Sequence, residues 1–487
     1  MATPPLPAPV PPTLDRERFA ALVAQGYNQV PLVRRLELGA LRPVDLLRAL
    51  PEGGRFLLES TRVSSEGRYS FLGARPLLSF TAKDGECRVQ GEHQPGLPLE
   101  VLRGLLQRWR GVRLPGMPLF CGGAVGFFAY EASHAFETLP RHPNDDLRVP
   151  DLAFCFVDTF LAVDHLTGSL LVVATGADYD DCARRAEALE ALARQAVPTL
   201  PPAPPSLEAP TLTPRSNFTL EHYLRAVERV QEYILAGDTY QVNLSQRLEV
   251  EYAGDALALY ETLSATNPVH FASYLEGDGF HVISASPERL VRVEDGRATT
   301  RPIAGTRRRG TAEENARFAR ELRTSEKEQA EHAMLVDLER NDLGRVCAYG
   351  TVEVTRLMEI IEYTHVIHIE SEVAGTLAPG VDLLQVVGAV FPGGTITGVP
   401  KIRTMQIITE LEPHARGLYT GSIGYLSFAG GMDLNIVIRT ILLKEGRAYA
   451  QVGGGVVHDS EPRQEYKETL HKARSQLIAL SARGAKA

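Results

Sequence analysis

The order of apolar and polar residues changes period along the chain, and each period predicts a different element. In the segment 220–236 the apolar residues recur at three- and four-residue steps, which places them on one face of a helix. They are Tyr223, Val227, Val230 and Ile234. Gly237 then supplies a stop signal. A second helix is predicted over 178–195, which is rich in the helix formers Ala, Arg, Glu and Leu.

After Gly237 the period falls to two, which is typical of a strand with two different faces. Between 240 and 252 the apolar residues are Tyr240, Val242, Leu244, Leu248, Val250 and Tyr252. Gln241, Asn243 and Ser245 form the opposite, polar face. This segment therefore predicts a half-buried strand. Short apolar runs at 55–60, 69–73, 124–130, 151–163 and 168–175 predict further strands.

Proline marks the boundaries of the predicted domains. Six of the 32 prolines lie within the first twelve residues, and seven lie between Pro198 and Pro214. A segment so rich in proline favours extended geometry over a helix. We therefore predict a flexible tail over 1–14, an N-terminal domain over 15–195, a linker over 196–214 and a C-terminal domain over 215–482.

Composition narrows the class of protein. The 487 residues include 51 Lys and Arg against 60 Asp and Glu, and this acidic excess argues against a general nucleic-acid binder. The five cysteines contain no C-x-x-C pair, so we expect neither a disulfide framework nor structural zinc, and a reducing cytoplasm fits best. We see no secretory signal and no apolar run near the roughly 20 residues of a spanning helix, so no membrane partner is expected.

Two predicted helices each carry glutamates three residues apart. Glu328 and Glu331 share a face in the segment 325–342, and Glu465 and Glu468 repeat the spacing in the segment 458–473. Two acidic pairs that face each other would form an oxygen-rich site for Mg²⁺. Solvated helix faces explain the same spacing, with an exposed Glu468–Lys472 ion pair worth below about 1 kcal/mol.

The second of these helices has a clear start. Asp459 or Ser460 is a suitable cap, and Pro462 falls in the first turn. The three glycines of QVGGGVVHDS, just before this helix, would let the backbone approach an anion closely, and FPGGTITGVPK is a similar loop. Neither is a nucleotide-binding motif, and tight turns explain both equally well.

Two polar residues stand out in apolar surroundings. Arg439 lies in the strand-like run 433–443, where burial would require an anionic partner. His368 lies in an alternating segment and is either a structural residue or a catalyst. The basic turn 301–310 is either a charged loop or part of a site. We find no nucleophile elbow and no amidotransferase-like cysteine.

Nine motifs, in order along 218–480, resemble those of the chorismate-utilising enzymes. They are GDTYQVNLSQR, SASPERL, RPIAGTRRRG, EHAMLVDLERNDLGRV, FPGGTITGVPKIRTM, GSIGY, VIRT, VGGG and EYKET. The segments 57–60 and 68–73 resemble the anthranilate-forming members of that family. The resemblance implies an α/β fold of the α+β type, a two-domain composite with large antiparallel sheets packed on helices and a catalytic cleft in the C-terminal part.

The resemblance also implies a reaction and its partners. We expect a Mg²⁺-dependent lyase that converts chorismate and ammonia to anthranilate and pyruvate, the first step towards tryptophan. A separate glutamine amidotransferase subunit, in a heterotetramer, would supply the ammonia, and tryptophan would inhibit. An aminodeoxychorismate synthase of the folate pathway and an inactive chorismate- or tryptophan-binding regulator are the alternatives.

The resemblance assigns roles residue by residue. Glu331 and Glu468 match metal ligands, with Glu328 and Glu465 acting through water. Glu288 matches a general acid for the departing C4 hydroxyl and His368 the histidine of the lyase step, with Thr395 and Gln241 as further catalytic positions. The matched chorismate contacts are Gly305, Thr306, Tyr419, Arg439, Gly453, Gly454, Gly455 and Lys472.

Two positions separate the activities of the family. Gln241 stands where isochorismate and salicylate synthases carry a water-activating Lys, and Ala304 stands where aminodeoxychorismate synthases commonly carry a nucleophilic Lys. Both substitutions favour direct attack by ammonia at C2.

The resemblance further implies a tryptophan site in the N-terminal, regulatory domain. It comprises Leu58, Glu59, Ser60, His270, Phe271 and Ala272. Two segments depart from the usual pattern. Pro392-Gly393-Gly394-Thr395 replaces a Pro-Ala-Gly-Thr run, and His270 replaces a proline in the Asn-Pro-x-Pro-aromatic segment, which bears on the strength of inhibition.

Overall fold

The computed structural model describes residues 14–61, 67–203, 205, 212–362 and 366–486, with the backbone alone at four of them, Thr306, Arg308, Lys327 and Val366. The predicted tail, apart from residue 14, and part of the predicted linker lie outside these residues. The described helices are α1 (Arg16–Ala24), α2 (Pro43–Ala49), α3 (Pro98–Gln107), α4 (Tyr179–Ala193), α5 (Leu220–Leu235), α6 (Ala256–Thr266), α7 (Ala312–Thr324), α8 (Glu326–Gly344), α9 (Leu383–Val390), α10 (Lys401–Leu411) and α11 (Pro462–Ala482). None of the described helices is long and apolar enough to cross a membrane.

Strands make up the centre of the molecule. The first ten are β1 (Val30–Glu37), β2 (Phe56–Glu59), β3 (Tyr69–Gly73), β4 (Leu78–Lys83), β5 (Glu86–Val89), β6 (Glu92–Gln94), β7 (Gly123–Phe128), β8 (Leu152–Val157), β9 (Thr159–Asp164) and β10 (Ser169–Gly176). The others are β11 (Arg215–Ser216), β12 (Gln241–Glu251), β13 (Phe271–Glu276), β14 (Phe280–Ser286), β15 (Arg289–Glu294), β16 (Arg297–Thr300), β17 (Ile303–Arg308), β18 (Glu353–Glu362), β19 (Val366–Thr376), β20 (Gly398–Val399), β21 (Ser422–Ser427), β22 (Met432–Asn435), β23 (Thr440–Lys444) and β24 (Arg447–Val456).

These strands form two antiparallel sheets of twelve strands each. The first sheet has the order β1-β10-β9-β3-β2-β13-β14-β23-β24-β12-β11, with β20 beside β12. The second has the order β17-β19-β16-β15-β22-β21-β7-β8-β4-β5-β6, with β18 beside β19. Both sheets contain strands from before and after the proline-rich segment. The predicted antiparallel sheets are confirmed, whereas the division into domains at that segment stays a prediction.

The two sheets pack face to face through a core that contains side chains from both. Phe71 of β3 and Phe160 of β9, in the first sheet, meet Tyr425 of β21, in the second, in one aromatic cluster with Phe120. Helices cover the outer faces, with α4, α6 and α11 on the first sheet and α3, α8 and α9 on the second. The fold is therefore four layers deep, and the central strands of each sheet are buried on both sides, whereas β6 and β18 of the second sheet are largely exposed.

The chain passes from one sheet to the other at neighbouring points. β14 and β23 pair in the first sheet, and the strands joined to them, β15 and β22, pair in the second. The connections are Pro287–Glu288 and the segment 436–439. They lie side by side, because the Ile436 amide donates to the Glu288 carbonyl at 3.0 Å and the Ala285 amide donates to the Arg439 carbonyl at 3.2 Å. Two residues of the predicted site, Glu288 and Arg439, thus lie at one junction.

Several predicted elements are confirmed and others are wrong. The helices at 178–195 and 220–236 form as α4 and α5, and Gly237 follows α5 with a positive φ of 80°. The apolar run 151–163 is not one strand, because β8 and β9 meet at Asp158 and belong to different sheets. β12 is buried on both faces and not half-buried, because its polar side packs inside the protein.

Candidate active site

A cavity of about 730 Å³ opens at the junction where the chain changes sheets. Its walls, which also include His471, Arg309 and Arg474, carry one acid, one histidine, one hydroxyl and two cations that the sequence predicted for the site. Those side chains belong to Glu288, His368, Thr395, Arg439 and Lys472. All five were predicted site residues, and they come from distant parts of the sequence. The fold therefore brings together three of the four predicted catalytic positions, Gln241 excepted, and two charged positions predicted to contact the substrate.

Glu288 lies at the sheet junction and is 7% exposed. Its Oε1 accepts a hydrogen bond from Oγ1 of Thr395 at 2.9 Å. Burial raises the pKa of Glu288 to about 7, and the nearby Glu370 carboxylate acts in the same direction, while Thr395 and Lys472 oppose the rise. A carboxyl group with such a pKa keeps its proton below about pH 7 and can act there as a general acid.

His368 lies on β19, opposite a bulge in β17 between Ala304 and Thr306. Its Nδ1 donates to the carbonyl oxygen of Gly305 at 3.2 Å. Burial lowers the pKa of His368, the Gly305 carbonyl raises it and Arg439 lowers it. The imidazole is therefore neutral at physiological pH. Gly305 has φ of +57°, a value that favours glycine, and the Thr306 side chain lies outside the described atoms.

Arg439 does not continue a strand, contrary to the strand-like pattern of 433–443. It is the last residue of the crossover between β22 and β23 and adopts a φ of +53°. Its Nη1 donates to the Lys472 carbonyl, and no carboxylate of the described residues forms an ion pair with it. Burial lowers the pKa of Arg439, since the charged guanidinium loses solvent there. An anion in the cavity would supply the partner that the protein does not.

The glycine cluster is a strand and not a loop. Gly453, Gly454 and Gly455 lie in β24 opposite Ser245, Leu244 and Asn243 of β12. A Cβ on Gly453 would lie 2.4 Å from Oδ1 of Asn243 and 2.7 Å from the Tyr419 hydroxyl. A Cβ on Gly455 would lie 2.3 Å from Nε2 of Gln241. Because these glycines have no side chains, the side chains of Asn243, Gln241 and Tyr419 can lie directly against the backbone of β24.

Gln241 lies behind this strand and is not among the residues that line the cavity. Its Oε1 and the Oδ1 of Asn243 are buried without a hydrogen-bond partner among the described residues. Asn243 does line the cavity. The alternating pattern of β12 had placed Asn243 on the polar face without assigning it a role.

The four glutamates lie near the edge of the site. Lys472 donates to Oε1 of Glu468 at 2.7 Å and to the Gly453 carbonyl at 3.0 Å. A Cβ on Gly454 would lie 3.2 Å from Oε2 of Glu465 and 3.8 Å from Oε1 of Glu468, so this glycine leaves room beside both carboxylates. The α11 pair therefore faces the glycine strand.

The second pair has a similar arrangement. Oε1 of Glu328 accepts from Nη1 of Arg307 at 3.2 Å, and Oε2 of Glu328 lies 2.9 Å from where a Gly305 Cβ would be. Glu331 follows one turn later on α8 and is partly buried. Within the described ranges no three acidic, His or Cys side chains converge as a metal cluster.

One correction concerns the start of α11. Glu461 occupies the cap position, instead of Asp459 or Ser460. Ser460 donates to Oε1 of Glu465 at 2.7 Å, so it fixes a glutamate of the predicted metal pair. Pro462 is the first residue of the helix, as predicted.

A buried ion pair below the cavity was missed by the sequence analysis. Arg416 donates to Glu412 through Nη2 at 2.7 Å and Nε at 3.0 Å, and both side chains are almost fully buried. Arg416 also donates to the carbonyl oxygens of Ile396 and Asn243, two residues of the cavity wall. The four-residue spacing of Glu412 and Arg416 was the only signal in the sequence, because the backbone partners of Arg416 are distant along the chain.

A second, smaller cavity of about 300 Å³ lies between the two sheets. All six residues predicted for the tryptophan site line it: Leu58, Glu59, Ser60, His270, Phe271 and Ala272. Its walls also carry Arg292 and Asp433, so charges of both signs surround the space. Oγ of Ser60 lies 3.4 Å from Nδ1 of His270.

Comparison with known proteins agrees with this architecture. The sequence profile of the chorismate binding enzymes matches residues 54–477. The chain is 39% identical over 495 residues to anthranilate synthase component 1 of Arthrobacter globiformis, covering 96% of this chain and 93% of the relative. It is 41% identical over 496 residues to the protein of the same name from Mycolicibacterium smegmatis, covering 96% and 94%.

Solved structures extend the comparison to the fold. The crystal structure of anthranilate synthase component I from Streptococcus pneumoniae superposes with a TM-score of 0.77 at 33% identity, covering 91% of this chain and 99% of that one. The menaquinone-specific isochorismate synthase of Escherichia coli, at 17% identity and a TM-score of 0.69 over 95% and 99%, shares the fold. The chain belongs to the chorismate binding enzyme family and, within it, to the anthranilate synthase component 1 group.

Proposed function

We propose that this chain converts chorismate and ammonia to anthranilate, pyruvate and water, with Mg²⁺ as cofactor. The observation that carries the proposal is the pairing of a protonated acid and a neutral base in one cavity. Glu288 has a pKa of about 7 and His368 has a lowered pKa, and both side chains line the space beside Arg439 and Lys472.

The charges of the cavity suit a dicarboxylate such as chorismate. Arg439 forms no ion pair with a carboxylate of the described residues, although the charge of Glu468 acts on it, and Lys472, which pairs with Glu468, lies next to the glycine strand. Each cation can pair with a carboxylate of the substrate in a site that is largely shielded from water. Binding at these two groups would fix the ring against Glu288 and His368.

The proton transfers follow from the two protonation states. Glu288 donates its proton to the C4 hydroxyl, which leaves as water while ammonia adds at C2. Nε2 of His368 then removes the proton from C2, since Nδ1 already donates to Gly305. The ring becomes aromatic and the enolpyruvyl group leaves as pyruvate after its methylene carbon gains a proton. The ammonium group formed at C2 gives up one proton, which balances the proton that Glu288 donated, so the atoms of one chorismate and one ammonia are all accounted for.

The choice of ammonia rests on two side chains that supply no competing nucleophile. Ala304 is buried on β17 and has no reactive atom. Gln241 cannot activate water as a Lys would, because its amide is not a base. We further propose that a glutamine amidotransferase subunit supplies the ammonia to this chain, which carries no recognisable glutaminase motif.

The donor set also fits Mg²⁺, which prefers carboxylate oxygens. Glu331 and Glu468 would hold the ion, with Glu328 and Glu465 acting through water, and the glycines Gly305 and Gly454 leave room beside three of these carboxylates. When bound, the ion would supply positive charge to a substrate carboxylate. Arg307 and Lys472 neutralise two of the carboxylates in the structure described.

We also propose that tryptophan binds in the 300 Å³ cavity and inhibits the enzyme. The six lining residues expected from the sequence surround it, and Arg292 and Asp433 offer one partner to each charge of an amino acid. A site between the two sheets is well placed to influence both, since the walls come from β2 and β13 of the first sheet and from β21 and β22 of the second.

One assay tests the main proposal. The purified chain is incubated with chorismate, Mg²⁺ and ammonium, and anthranilate is followed by its fluorescence. We expect anthranilate without glutamine or a second subunit, and loss of the signal with a chelator. A different amino product would instead support an aminodeoxychorismate synthase. A folded protein that gives no product would support a binding regulator.

Metal binding has its own test, independent of turnover. Glu331→Gln and Glu468→Gln should each weaken Mg²⁺ binding in isothermal titration calorimetry by at least about tenfold. Glu326→Gln in α8 and Glu461→Gln at the cap of α11, both outside the two pairs, are the matched controls. Equal affinity in all four variants would contradict the assignment.

A further inference from the structure

We propose that Arg289 is a positioning residue that holds the acid Glu288 in place and connects it to the wall of the smaller cavity. This inference rests on the proposed function, because it concerns the acid of that reaction and the tryptophan cavity. The two cavities have separate walls, but consecutive residues of one turn reach both of them.

Arg289 is the first residue of β15, and its side chain is 5% exposed. Its Nε donates to Oδ1 of Asp433 at 2.9 Å, and its Nη2 donates to Oδ2 at 3.2 Å. The guanidinium carbon lies 5.2 Å from the centre of the Phe271 ring. Asp433 and Phe271 both line the smaller cavity. A two-point ion pair and an aromatic contact therefore fix the guanidinium against that wall.

The residue before Arg289 is the acid of the larger cavity. The backbone of Glu288 is held by the Ile436 amide at 3.0 Å, and its side chain by Thr395 at 2.9 Å. Ser286 anchors the turn on its other side, since its Oγ donates to the Ile436 carbonyl at 2.5 Å and accepts from the Glu288 amide at 3.4 Å. Arg289 is the anchor that follows the acid. The contacts of Arg289 therefore help decide where the Glu288 carboxyl group lies.

A bulge marks the same place in the second sheet. β15 pairs with β22 through Arg289 and Asn435, but the register shifts before Val291 pairs with Leu434. Asn435 also lines the smaller cavity, and its Oδ1 accepts from the Ile423 amide at 2.8 Å. Two strands that contribute to the cavity wall therefore meet at the residue that follows the acid.

A ligand in the smaller cavity would act on this connection directly. Contact with Asp433 or Phe271 changes the groups that hold the Arg289 guanidinium, and one peptide bond separates that residue from Glu288. Whatever factor tryptophan imposes on the affinity for chorismate, chorismate imposes on the affinity for tryptophan, whereas an effect on kcat through the acid has no such reciprocal.

Arg289→Lys tests the inference, because lysine keeps the charge but loses the two-point geometry and the flat face. Arg247→Lys is the matched control. Arg247 is equally buried, pairs with both oxygens of Asp146 and lies 5.5 Å from the centre of the Tyr449 ring. The measurements are kcat and KM for chorismate against pH, tryptophan affinity by calorimetry, and inhibition at saturating tryptophan.

For Arg289→Lys we expect kcat to fall about tenfold, in line with a small misplacement of the acid, with KM changed less than about twofold. The alkaline limb of the pH profile of kcat should shift. Saturating tryptophan should inhibit only in part, while the affinity for tryptophan stays within about threefold of the wild-type value. The control should keep the wild-type pH profile and full inhibition.

A second variant guards against misfolding of the first. Arg289→Gln removes the charge and the two-point geometry, while Arg292, 4.0 Å from the Asp433 carboxylate, still neutralises it and the tryptophan cavity keeps all its lining residues. The same partial inhibition should appear. Unchanged pH profiles and complete inhibition in both variants would refute the inference while the proposed function stands. Absence of turnover in the wild type would refute the proposed function, and this inference with it. A wild type that turns over but does not bind tryptophan would refute the connection to the smaller cavity.

Discussion

Nδ1 of His368 donates a hydrogen bond to the carbonyl oxygen of Gly305 at 3.2 Å, across the pair of strands β17 and β19. A carbonyl oxygen only accepts, so this contact places the proton of the neutral imidazole on Nδ1 and the basic lone pair on Nε2. Gly305 reaches this position through the bulge in β17 and its positive φ. One backbone carbonyl thus selects the tautomer that the proposed lyase step needs.

Replacement of this histidine should separate the two halves of the reaction. In His368→Gln we expect pyruvate release to fall by about 10²–10⁴, because the base that removes the C2 proton is gone. Chorismate should still be consumed, since the acid and the nucleophile remain. Chorismate absorbance and a coupled pyruvate assay measure the two steps. His281→Gln, at a histidine that contacts Tyr274 outside the larger cavity, is the control, and equal effects on both steps would contradict the role.

The acid should determine the alkaline side of the pH profile. Glu288 has a pKa raised to about 7, so it is protonated below that pH and loses the proton above it. Activity should therefore fall as the pH rises through about 7. His368, with a lowered pKa, stays neutral and active at pH values below the usual pKa of a histidine. Glu288→Gln should lower kcat by at least about 10² and remove the alkaline limb. A variant that keeps this limb would show that another group titrates.

The glycines of β24 should differ in their tolerance of a methyl group. A Cβ at Gly453 would meet Asn243, Tyr419 and the Leu244 carbonyl at 2.9 Å or less, and the backbone cannot yield cheaply. A Cβ at Gly454 would meet the flexible end of Glu465 at 3.2 Å. We expect Gly453→Ala to lower kcat/KM by about 10² or more, and Gly454→Ala mainly to raise the Mg²⁺ concentration needed. Steady-state kinetics with varied Mg²⁺ distinguish the two, and the reverse order would contradict the packing argument.

The smaller cavity should lose its ligand when a long cation is introduced. Ser60 is 4% exposed and lines this space, so Ser60→Arg would fill part of the 300 Å³ and add charge. We expect the tryptophan inhibition constant to rise at least about tenfold, measured relative to the uninhibited rate of the same variant. Ser79→Arg, on β4 of the second sheet and outside both cavities, is the control. Unchanged inhibition in Ser60→Arg would remove tryptophan from this cavity.

The local sequence pattern predicted the helices that carry the site residues better than it predicted the shape of the site itself. The three-residue spacing of the glutamates and the start at Pro462 correctly predicted α8 and α11, because helices repeat every 3.6 residues whatever surrounds them. The same reasoning was wrong for Arg439. Its run looks like one strand, yet the chain bends there with φ of +53° to change sheets. Periodicity reports which face is buried and not which sheet a strand joins.

The sequence by itself determined the helices α4, α5, α8 and α11, several strands, the family resemblance and a set of charged residues suited to a dicarboxylate and a hard metal ion. Tertiary structure alone decided that strands from both sides of the proline-rich segment share each sheet. It also placed Glu288 beside Arg439 and set Arg289 between two cavities. The physical reason is that strand pairing and buried ion pairs join residues far apart in sequence, whereas hydrophobic period carries information only over neighbouring turns.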